Sequence, residues 1–99
     1  MFRAPRAAAE YLAAGQRTVA NDWNAGLAFA LAGDVDAARR HLAEVGASEA
    51  RTDWAIKLRD EAVQLAEFTD SSALTAAVRD RIGAARAALR LSGDRPYRL

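Results

Sequence analysis

The chain has 99 residues, 52% of them hydrophobic and 27% charged, with a net charge of +1 and no cysteine. That is enough for one domain with a modest core. It excludes wholesale disorder, disulfides, thiolate metal sites and thiol catalysis, and it lacks the strong basic excess that drives non-specific nucleic-acid binding.

Pro5 suits the first position of a helix that ends before Gly15, anchored by Ala8, Tyr11 and Leu12. Two arginines and many alanines open the chain, but Glu10 and Gly15 interrupt them before a signal-peptide core develops, and no run reaches the roughly 18 apolar residues that cross a bilayer. A cytoplasmic protein is the expectation, and the alanine and arginine usage fits a GC-rich bacterial genome. Thr18 is the preferred N-cap of a second helix running to Ala32, with Ala20, Trp23, Leu27, Ala30 and Leu31 along one face. Gly33 stops that helix and Asp34 caps the next, on which Val35, Ala38, Leu42 and Val45 form the apolar stripe. So short a turn folds the two helices back on each other, and Gly26 and Ala38 are small where they meet.

Ser48 is read as the cap of a fourth helix from Glu49 to about Phe68. Trp54, Leu58, Leu65 and Phe68 lie on one face, and Ile56 and Val63 on a neighbouring strip. With two apolar faces this helix is expected to be the main stabilising element. Asp70 to Ser72 begin a fifth helix carrying Leu74, Val78, Ile82, Ala85 and Leu89, which ends by Gly93. No stretch alternates with period two over a strand's length. The sequence therefore predicts an all-α domain over 1–93 followed by a short basic tail, 94–99. Its five helices form an array of antiparallel hairpins or an up-and-down bundle.

The stretch from 19 to 50 resembles a tetratricopeptide repeat, a helix-turn-helix unit of about 34 residues. Gly26, Phe29, Gly33, Asp34, Ala38 and Leu42 stand at the family's Gly, aromatic, Gly-Asp turn, Ala and large positions. Asp22 stands at the family's Trp position, Ala25 at its Leu and Ala50 at its closing Pro, and no second copy follows in frame. The resemblance implies a partner groove lined by the first helix, with Trp23, Asn24, Leu27 and Leu31 as the contact residues. It also implies self-association, as a homodimer, to cover the remaining apolar surface.

Little else in the chain carries chemistry. His41 is the single histidine, too few for a zinc site, and is read as structural or surface. Asp34 with Asp36 and Asp60 with Glu61 are neighbours that point apart on a helix, so no acid-base pair, phosphate loop or nucleophile motif is found. The expectation is a non-enzymatic interaction module without cofactor or metal. The alternative is weak nucleic-acid binding through Arg79, Arg86 and Arg90 on the last helix, with Arg98 in the tail.

Overall fold

Gly33 adopts a φ of +84°, the left-handed conformation that glycine takes without steric penalty. The N–H of Gly33 thereby reaches the carbonyl of Ala30 and the N–H of Asp34 that of Phe29, both at 3.0 Å, so the helix ends with its last carbonyls satisfied. Asp34 next accepts from the N–H of Ala37 at 3.1 Å and starts the following helix. Its carboxyl is held below the ordinary carboxylate range by that backbone N–H, assisted by the Arg6 guanidinium at 3.2 Å.

This turn joins the central pair of helices in a computed structural model that describes residues 5–92, with side chains for 5–88. Over those residues the fold is all-α: α1 Pro5–Ala14, α2 Val19–Leu31, α3 Val35–Ala47, α4 Asp53–Ala66 and α5 Ser71–Ser92. The basic tail 94–99 lies outside the described residues. Helices α1 to α4 pack in chain order, each on the next, and α5 returns across α2 and touches α4. At 22 residues α5 is about 33 Å long, close to the molecule's 35 Å greatest dimension.

The core is built on α2. Trp23, Ala25, Leu27, Ala28, Phe29 and Ala30 are all buried on it, and Thr18 caps its start by accepting from the N–H of Asn21 at 3.1 Å. Leu42 and Val45 face it from α3, and Leu74 and Val78 from α5. Thr75 donates its hydroxyl to the carbonyl of Ala30 at 2.8 Å, tying α5 to the end of α2. Gly26 sets the spacing of the hairpin. A Cβ there would stand 2.8 Å from Cδ2 of Leu42, so only glycine allows α2 and α3 to approach this closely.

The structure corrects three expectations. Tyr11 is 79% exposed, because Ala8, Ala9 and Leu12 define the inward arc of α1 and position 11 falls about 60° outside it. The fourth helix starts at Asp53 rather than Glu49. Ser48 spends its hydroxyl on the N–H of Ala50, 3.1 Å away, which closes a local turn in competition with a helix start. Finally, α4 is not the main stabilising element. It buries only Ala55, Ala62 and Leu65, whereas Trp54, Ile56, Val63 and Phe68 remain exposed, the last because the helix stops at Ala66.

Candidate functional site

Helices α2, α4 and α5 do not close on one another along their whole length, and a groove of about 500 Å³ is left between them. Ala20, Trp23, Asn24 and Leu27 of α2 form its floor. One wall is α4, with Trp54, Lys57, Leu58 and Glu61, and the other is α5, with Arg81, Ile82, Ala84, Ala85 and Ala88. The spacing of each set is helical, i, i+3, i+4 and i+7, so each helix presents one continuous stripe about two turns long. Arg81 and Glu61 form an ion pair of 3.3 Å that links the two walls. The other lining groups are mainly apolar, and the walls Trp54, Lys57, Ala84 and Ala88 are exposed, so the groove is open along one side.

The structure separates the four residues expected at a partner site. Trp23, 6% exposed, and Leu27, almost fully buried, lie on the floor and belong to the core as well. Asn24 is half-buried beside them. Leu31 is half-buried against the core at the far end of α2, away from the groove lining. The indole that stands out is Trp54, 54% exposed, which the sequence pattern assigns to a buried face. A shallow stripe at a groove lip has the same periodicity as a core stripe, so spacing alone does not tell them apart. Of the alternative set, Arg79 and Arg86 are exposed two turns apart on α5, whereas the side chain of Arg90 and all of Arg98 lie outside the described residues.

A second polar feature is internal. Asp22 is buried, and its Oδ1 accepts from Nδ1 of His41 at 3.0 Å and forms an ion pair with Nε of Arg17 at 3.1 Å. The His41 ring stacks on Phe29, with centroids 5.4 Å apart. The carboxylate thus pins α2 to α3 and, through the ion pair, to the segment before α2. The signal was present in the sequence as position 41 lying between Ala38 and Val45 on the inner stripe, but the partner across the hairpin is a tertiary fact. Among the described residues no cluster of three or more His, Asp or Glu side chains is arranged to hold a metal ion. No described helix is long and apolar enough to cross a membrane.

Comparison of the chain with family models, curated proteins and solved structures gave no match.

Proposed function

We propose that this chain is a non-enzymatic protein-interaction module, with a tetratricopeptide-like hairpin as its base, whose groove receives the apolar face of a partner helix or peptide or of a second copy of the chain. The observation that carries this reading is the pairing of a half-exposed Trp54 with an apolar floor of Trp23 and Leu27 in an open groove. Tryptophan beside a desolvated pocket is the commonest kind of binding anchor, and an open trough about two helical turns long suits a polypeptide segment better than a small ligand, which is normally enclosed on most sides. The alanines of α5 let another backbone come close.

The test compares the wild-type chain with Trp54→Ala by light scattering and by co-purification from the native cell. Trp54 contributes little to the core, so the variant is expected to stay folded while losing its oligomeric state or its partner, with an affinity loss of about 30-fold for an anchor residue. Unchanged mass and unchanged partners would overturn the assignment.

A further inference from the structure

Helix α5 changes character at one residue. Up to Ile82 it is anchored: Leu74, Val78 and Ile82 are buried, Thr75 holds the end of α2, and Arg81 is paired with Glu61. Beyond Ile82 the helix continues, yet Ala84, Arg86, Ala87 and Ala88 are exposed and only Ala85 is half-buried. The residue at the step is Gly83. Its absent side chain answers no packing need, because a Cβ there would meet nothing within 4 Å, in contrast to Gly26, where Cδ2 of Leu42 would be 2.8 Å away. A glycine inside a helix weakens it, and sharp helix bends occur at such residues.

We propose that Gly83 is a hinge and that the turns after it form a gate over the groove. Ala84, Ala85 and Ala88 make up the moving wall, and swinging them away from α2 and α4 widens the groove above Ile82, Trp23 and Leu27 without breaking the anchored half of α5. The Arg81–Glu61 pair marks the last fixed turn. As a gate the device rests on the interaction reading given above; as a hinge it stands by itself. Opening is expected to cost less than unfolding the anchored half, because over 84–88 only Ala85 is half-buried, which places this stretch toward the weak end of the range of local stabilities found within one fold.

Two measurements on the full chain test this. In hydrogen exchange, amides of 84–88 are expected to exchange faster than those of 74–82, and Gly83→Ala, which fits without a clash, is expected to slow the distal amides about fivefold, the helix-propensity difference between the two residues. In a Trp54→Phe background Trp23 is the sole tryptophan, and its quenching by acrylamide is expected to fall with Gly83→Ala and to rise with Ala87→Gly. Equal exchange on both sides of Gly83, or distal amides indifferent to Gly83→Ala, overturns the hinge. A response in exchange with no change in Trp23 quenching overturns the gate. Neither result bears on whether the groove binds a polypeptide, which the Trp54→Ala comparison decides separately.

Discussion

The α2–α3 hairpin and the α4–α5 half are built from similar residues but are finished differently. In the hairpin every end is closed: Thr18 and Asp34 cap the starts, Gly33 closes the turn, Gly26 brings the helices together, and Asp22 with His41 pins them. In the second half Thr52 precedes α4 without a side-chain cap, Trp54, Ile56, Val63 and Phe68 are exposed, and over 83–88 of α5 only Ala85 is half-buried. Capping and inter-helix pinning are concentrated on one side of the molecule and exposed apolar side chains on the other, with the groove at the seam. This is the division expected when a stable scaffold presents a surface for something else to cover.

The contrast is broken most severely from the hairpin. Trp23→Ala removes a buried indole that the groove and the core share, and is expected to cost about 3–5 kcal/mol in denaturant unfolding. Gly26→Ala forces a methyl group toward the buried Leu42 and is expected to cost about 1–3 kcal/mol, and if the contact is the cause the double variant with Leu42→Ala costs less than the sum of the two single variants. Gly33→Ala must hold a φ of +84° with a side chain and is expected to cost about 1–2 kcal/mol in the same measurement. On the other side of the seam Trp54→Ala is expected to change stability by no more than about 0.5 kcal/mol, as an exposed substitution does, while removing the proposed interaction. If Trp54→Ala destabilised as much as Trp23→Ala, the two halves would not differ in the way described.

The smallest effect is one of pH. The carboxyl of Asp34 lies below its ordinary value of 3.8, chiefly through the N–H of Ala37 and then through Arg6, so its ionised form is the one that favours the fold. That stabilisation is present above the ordinary value and is lost as the pH falls through the lowered one. The melting difference between wild type and Asp34→Asn is therefore expected to be full at neutral pH and to shrink below pH 3.8.

The features legible in the sequence were those whose causes are local. Thr18, Gly33, Asp34 and Asp70 do what capping and turn residues do, and Asp70 accepts from the N–H of Ala73 at 2.7 Å as the start of α5 requires. The stripes of α3 and α5 were readable because each faces one side over the described residues, whereas α2, read as one stripe, is buried nearly all round by the helices packed on it. What was not legible depended on neighbours distant in the chain. The period of α4 showed two apolar faces but not that one would border a groove and the other solvent. Tyr11 and Leu12 both looked like anchors of α1, and only Leu12 falls on the arc that packs against the core. Ser48 has the same capping chemistry as Thr18, but its hydroxyl is taken by Ala50 two residues on.

The claim that the seam between the two halves is a docking surface is tested most directly by replacing Trp54 with a photo-crosslinking amino acid in the native cell and identifying what becomes attached. The expected result is a discrete polypeptide adduct, a second copy or another protein, formed at position 54 and not when the same amino acid replaces exposed Glu44 on α3. No adduct at 54, or the same adducts at both positions, would contradict it.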